Sequence, residues 1–93
     1  FFHTVVGQIY ERGMKDYKRA IKEYWKVVEN FSNYDPYFVR NALEHIGECF
    51  IQLGEKKYAI EVLEIILKDY PPSYKEELQG IKKKLSKLKK ETK

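Results

Sequence analysis

The sequence predicts an all-α protein: two antiparallel helical hairpins stacked side by side, followed by a C-terminal helix that caps the open end. Three observations predict it. Apolar residues recur at helical spacing in five segments, and Val, Ile and Thr nowhere alternate with polar residues for long. Lys, Glu, Leu, Ile and Tyr dominate the composition, with only five glycines and three prolines, which favours helices. The pattern of the first hairpin also recurs in the second.

The first helix is expected to run to about Arg12, where Gly13 ends it, with Phe2, Val5, Val6 and Ile9 at i, i+3, i+4, i+7 on one face. Asp16 is placed to cap the second helix, whose stripe is Ala20, Ile21, Tyr24, Val27, Val28 and Phe31. A connector over Ser32–Tyr37 follows, with Pro36 suited to a first helical turn because it has no N–H to leave unsatisfied. The third helix spans roughly Tyr37–Leu53, turning Val39, Leu43, Ile46, Phe50 and Leu53 inward, and Gly54 supplies the left-handed residue that closes it. The fourth covers Lys56–Asp69 and buries Ala59, Ile60, Leu63, Ile66, Leu67 and Tyr70, with Pro71-Pro72 preventing its continuation. Ser73 and Glu76 read as a capping box for a fifth helix with the stripe Tyr74, Leu78, Ile81, Leu85, Leu88. The units are therefore repeat 1 at about 1–33, repeat 2 at about 37–71 and a capping helix at about 73–91.

The 93 residues fit one small domain, and 43% hydrophobic with 34% charged residues is a folded composition rather than a disordered one. The net charge of +4 is unevenly spread. From Lys75 onward eight lysines oppose three glutamates, while residues 1–74 carry ten basic against eleven acidic side chains, so the body is near neutral and the tail basic. Cys49 is the lone cysteine, which excludes an internal disulfide. No apolar run approaches the ~20 residues of a membrane span. A chain opening Phe1-Phe2-His3, without an initiator methionine, reads as a piece of a longer protein, and its compartment stays open between cytoplasm and periplasm.

The repeat is the strongest signal. Gly7, Tyr10, Gly13, Ala20-Ile21, Tyr24, Val27-Val28 and Phe31 are matched by Gly47, Phe50, Gly54, Ala59-Ile60, Leu63, Ile66-Leu67 and Tyr70. Gly7 to Ala20 spans 13 residues and Gly47 to Ala59 spans 12, so the first turn carries a one-residue insertion. These residues resemble the tetratricopeptide repeat: a small residue and an aromatic three later on one helix, a small residue and an aliphatic on the next, and a terminal proline, here Pro71. His3 and Leu43 stand where the family often has tryptophan, and Asp16-Tyr17 resembles its turn into the second helix. The glycines and the alanines Ala20 and Ala59 would let the paired helices approach closely. The 39-residue step from Ala20 to Ala59 exceeds the family's ~34. In this the chain resembles the divergent repeats of bacterial periplasmic scaffolds, such as outer-membrane assembly lipoproteins and coordinators of the Tol–Pal system, through Tyr24–Phe31 and Ile46–Pro71.

The resemblance implies a scaffold or adaptor that grips a protein or peptide on a concave face lined by the first helix of each pair. Carried over by spacing, that face holds Thr4, Gln8, Glu11, Arg12, Asn41, Glu44, Glu48, Ile51 and Gln52. Glu44, Glu48 and Gln52 share one helix face, and such an acidic strip suits a basic partner, although solvated helix positions look the same. Family members that clamp a partner's C-terminal carboxylate use basic and amide side chains. Thr4, Gln8, Glu44 and Glu48 in those places argue against that ligand. Exposed apolar residues at Phe1, Phe2 and Val5 predict an edge for self-association.

His45 and Cys49, at i, i+4, are too few for a metal site, so Cys49 is expected to fill a small slot between helices and His45 to stand by, partly exposed. Neither a phosphate loop nor any recognisable nucleophile, base or metal-hydrolase motif occurs, so no enzyme activity and no cofactor is expected. The basic tail Lys82, Lys83, Lys84, Lys87 has two readings. It is a soluble cap with lysines at the negative end of a helix dipole, or a helix that contacts nucleic acid or an anionic membrane. The missing arginines and interleaved aromatics favour the cap. Among the aromatics, Trp25 stands out as a partly exposed anchor, while Tyr34, Tyr37 and Phe38 surround the connector.

Overall fold

The computed structural model describes residues 2–31 and 35–92. Its elements are α1 (Phe2–Gln8), which runs directly into a π-helical turn (Ile9–Gly13), then α2 (Tyr17–Phe31), α3 (Pro36–Gln52), α4 (Lys56–Asp69) and α5 (Lys75–Glu91). No strand occurs among the described residues. Each helix packs on its sequence neighbour: α1 on α2, α2 on α3, α3 on α4 and α4 on α5. The smallest extent of the molecule is 19 Å, two helix diameters of ~10 Å, so the zigzag lays α1, α3 and α5 in one layer and α2 and α4 in the other. The connector positions Ser32, Asn33 and Tyr34 lie outside the described residues.

The core is one continuous apolar cluster shared by both hairpins. Ala20, Tyr24 and Val27 of α2, Val39, Ala42, Leu43, Ile46 and Cys49 of α3, and Ala59, Val62, Leu63 and Ile66 of α4 are buried, and Ile81 and Leu88 carry the cluster into α5. Trp25, Tyr10, Phe38 and Phe50 are half-buried against it. Tyr37 and Tyr74 stay exposed.

Helix ends follow local chemistry. Asp35 caps α3 by accepting from the Tyr37 N–H at 3.0 Å, with Pro36 at the first helical position. Asp16 caps α2 through the Arg19 N–H at 3.2 Å. At the end of α3, Gly54 takes φ +77°, the Glu55 N–H reaches the Phe50 carbonyl at 2.8 Å and the Gly54 N–H that of Ile51 at 3.0 Å, which satisfies carbonyls that the helix leaves orphaned.

The first hairpin uses the same closure with one residue more. The Asp16 N–H meets the Tyr10 carbonyl at 2.7 Å, as Glu55 meets Phe50, and the extra residue is absorbed by the π turn, whose Met14 N–H bonds Ile9 five positions back. The left-handed residue is consequently Lys15, at φ +53°, and not Gly13. The helical run ends at Gly13, at the expected place, and the left-handed residue of the reversal comes two positions later.

The apolar edge at the chain start is exposed, with Phe2, Val5 and Ile9 at 73%, 53% and 52%. The helix turns Gly7 onto α2, which leaves 2, 5 and 9 on the outer side. Two expectations are corrected. Ser73 and Glu76 form no capping box: the residue before α5 is Tyr74, in an extended conformation with no side-chain cap, and the first helical bond is from the Leu78 N–H to its carbonyl. The two glycines of the repeat are also not equivalent. A Cβ on Gly7 would lie 2.8–3.0 Å from the Tyr24 ring, whereas one on Gly47 would meet only Val62 and Leu63, at 3.8 and 3.9 Å. The close approach is thus confined to Gly7, and its neighbour is Tyr24, one turn beyond Ala20.

Two outcomes follow for stability. Gly7→Ala should lower stability by about 1–3 kcal/mol, because Tyr24 is fully buried and its ring has no room to shift. Gly47→Ala should be neutral or stabilising by up to about 1 kcal/mol through helix propensity. Urea denaturation of both variants distinguishes them, and equal effects would refute the asymmetry. Lys15→Gly should relieve a left-handed residue that costs roughly 1 kcal/mol, raising Tm by about 3–6 °C. A fall in Tm would show that Lys15 is not strained.

Candidate functional site

The junction of the hairpins is closed by a polar cluster on a buried aromatic. Tyr24 has no exposed surface, and its phenol Oη donates to Glu11 Oε1 at 2.7 Å. The His45 Nδ1–H donates to the same oxygen at 3.0 Å, and its ring stacks on Tyr24 with centroids 4.9 Å apart and planes 16° from parallel. One carboxylate oxygen from the π turn thereby ties α2 to α3. Burial first, and then the hydrogen bond to Glu11, push the Tyr24 phenol well above its ordinary pKa, so it remains a donor. On the same side His3 Nδ1 meets Glu23 Oε2 at 2.9 Å, with Lys26 3.5 Å from that oxygen, which joins α1 to α2. His45 is therefore a structural partner and not a bystander. A buried tyrosine needs a hydrogen-bond acceptor, which points to a residue such as Glu11 but not to His45.

Around this junction, two open grooves meet. One, of about 330 Å³, lies between the π turn and α3 and is lined by Glu11, Arg12, Lys15, Tyr17, Glu48 and Gln52. The other, of about 460 Å³, runs between α3 and α5: Glu44, Glu48 and Ile51 form one wall, Glu77, Gly80, Ile81 and Lys84 the other, and Gly47 and Leu63 lie in the floor beside His45. Glu48 lines both grooves. Of the nine residues assigned to the concave face, Glu11, Arg12, Glu44, Glu48, Ile51 and Gln52 are thus brought together along one trough. Thr4, Gln8 and Asn41 are half-buried and line neither groove. The α5 wall was missed because the fifth helix was read only as a cap or as a basic outer face.

Glu44 has its pKa raised, by burial above all and then by the nearby Glu77 carboxylate, while Arg40, Lys84 and His45 oppose the shift. Glu48 receives the Lys84 ammonium across the groove. Two further pairs hold α5 on α4: Lys89 to Glu64 at 3.3 Å and Lys56 to Glu91 at 3.4 Å. Lys82, Lys83 and Lys87 are exposed on the outer side of α5. Cys49 is fully buried between helices, and burial pushes its thiol up to about 12. Among the described residues no group of three His, Cys, Asp or Glu side chains is placed to hold a metal ion, and no helix is long and apolar enough to cross a membrane.

Antiparallel hairpins that share one core and expose a trough across their first helices define a helical-repeat protein. The family model of the tetratricopeptide repeat matches residues 41–73, which comprise most of α3, all of α4 and the prolines after it, so that this hairpin is similar to a tetratricopeptide repeat. The first hairpin, with its π turn, falls outside that match. Neither the curated proteins nor the solved structures contain a match to this chain. A tetratricopeptide repeat is in general a protein-interaction module.

Removing the shared acceptor tests the junction. Glu11→Ala leaves the Tyr24 phenol and the His45 N–H without a partner and should cost about 2–3 kcal/mol, with a smaller loss in a Tyr24→Phe background. Simple additivity in that double-mutant cycle would deny the coupling. Alkaline pH tests the buried thiol and phenol. Both folded pKa values are raised, so their contribution is complete below the unfolded thiol value of ~8.5 and is lost as pH climbs towards 12. Tm should fall above pH ~8.5, and Cys49→Ala should flatten the first part of that fall. Rapid labelling of native Cys49 by an iodoacetamide reagent at pH 7 would contradict the burial.

Proposed function

We propose that the chain is a scaffold or adaptor module that binds a peptide or protein segment in the trough across the π turn, α3 and α5. The observation that carries this reading is the meeting of two grooves at Glu48, which provides one open path over three successive elements. A trough of this kind offers main-chain room, apolar floor and charged walls together, the combination that fixes a peptide's orientation and register. The residues that would contact the partner are Arg12, Glu44, Glu48, Ile51 and Gln52. Glu11 serves chiefly to hold Tyr24 and His45 in place. The role of α5 is to end the stack: Ile81 and Leu88 cover the core, and Lys84 and Lys89 are engaged by Glu48 and Glu64. Binding of nucleic acid or membrane through α5 would use Lys82, Lys83 and Lys87, whereas Lys84, Lys89 and Glu91 are paired with α3 and α4, which favours the cap.

Selection of ligands from a random peptide library, with NMR mapping on the labelled protein, tests the reading. Amide shifts should trace Arg12, Glu48, Ile51 and Gln52. The Glu44→Lys/Glu48→Lys double variant should weaken the selected ligands by about tenfold or more, since it replaces favourable wall charges by repulsive ones. Ligands that bind the double variant unchanged would dismiss the trough as the binding face.

A further inference from the structure

The two junctions of the stack are built alike but finished differently. In the first, Glu11 and Tyr24 meet His45 and fill the space between α1 and α3. By the repeat, Ile51 stands to Gly47 as Glu11 stands to Gly7, and Leu63 stands to Ala59 as Tyr24 stands to Ala20. In the second junction these apolar counterparts line a groove of about 460 Å³, with Ile81 of α5 beside them.

Gly80 makes the opening wider. It sits in the middle of α5, on the groove wall, where glycine is the poorest helix former after proline. No positive φ is recorded for it, and a Cβ built there would meet nothing within 4 Å. Among the described residues nothing approaches it, and the missing side chain leaves that wall of the groove open. The walls add a sign. Glu44, Glu48 and Glu77 face the groove against the single cation Lys84, which is already held by Glu48.

We infer that the groove between α3 and α5 docks a protein segment presenting a lysine or arginine next to an aliphatic side chain, the aliphatic group resting on Ile51, Leu63 and Ile81 alongside Gly80 and the cation lying between Glu44 and Glu77. This rests on the trough reading and narrows it to one groove and one ligand chemistry. Burial first, and then the Glu77 carboxylate, raise the Glu44 pKa, and an entering cation opposes both; the bond from Lys84 to Glu48 shows within the chain how an ammonium is received there. A purely electrostatic patch would need no floor, and a purely apolar one would not be rimmed by three carboxylates.

The test uses the full chain, labelled with 15N, and two blocked pentapeptides at low salt: one with a central lysine flanked by leucines, the other with glutamine in place of that lysine. The lysine peptide should bind about tenfold more tightly than its neutral counterpart, as a charge-assisted contact requires, with amide shifts confined to the stretches around Gly47 and Gly80. Gly80→Leu should abolish that binding by filling the groove while raising Tm, so that the loss is not one of folding. Gly80→Ala should also raise Tm. Equal binding of the two peptides, undiminished binding by Gly80→Leu, or the absence of any shift would each overturn the inference. Shifts confined to Arg12, Lys15 and Gln52 would overturn it too and would leave the broader trough reading standing.

Discussion

The structure depends on how Tyr24 is held. Its ring lies close against Gly7 and stacks on His45, and its hydroxyl is fixed by Glu11. These contacts bring α1, the π turn, α2 and α3 to one residue with no exposed surface. A phenol buried without an acceptor is penalised by its lost hydration, so the apolar packing of α2 and the polar bond to Glu11 are possible only together. The glycine makes the helix approach feasible, and the carboxylate makes the burial tolerable. A substitution at either place therefore acts on both hairpins.

Much of this was legible in the residues. The boundaries of α3 and α4 come from local signals that act within one turn: Asp35 and Pro36 at the start, Gly54 at φ +77°, and Pro71-Pro72 at the finish. The stripes of α2 and α4 are legible for the same reason, since Ala20, Tyr24, Ala59 and Ile66 are buried in line with their spacing. In α1 periodicity defines an apolar face and not which side of the helix its partner occupies. Phe2, Val5 and Ile9 satisfy the spacing, yet the contact with Tyr24 selects the Gly7 side. In the same way, a count of residues reveals the insertion between Gly7 and Ala20 but not its location. The π turn distributes it before Lys15, so the visible glycine at 13 ends the helical run but does not supply the left-handed residue.

The candidate site was legible on one wall only. Glu44, Glu48 and Gln52 follow from helical spacing along α3, and the groove indeed lies along that line. The opposing wall depends on how α5 folds back, which is set by contacts of Ile81 and Leu88 distant in sequence from α3. Spacing within α5 places Glu77, Gly80, Ile81 and Lys84 on one side but does not say what they face. His45 was obscure for a related reason: its role needs Glu11, 34 residues away, and no local pattern announces that pairing.

The contrast between the two junctions explains why a short stack needs its last helix. An exposed repeat edge leaves apolar side chains such as Leu63 and Ile66 facing water, and tetratricopeptide stacks generally end in a helix with a polar outer side. Here α5 meets that need with a narrow stripe and a lysine-rich exterior. Because the stripe is narrow, the helix covers the core at Ile81 and Leu88 without closing on α3, and Glu48 and Lys84 bridge the remaining gap. At the first junction Glu11 and His45 occupy the corresponding place, and the groove left beside them, about 330 Å³, is smaller. Capping and groove formation are thus two results of one packing arrangement. A wider apolar face on α5 would bury more surface but would close the groove, and a narrower one would release the helix from the core.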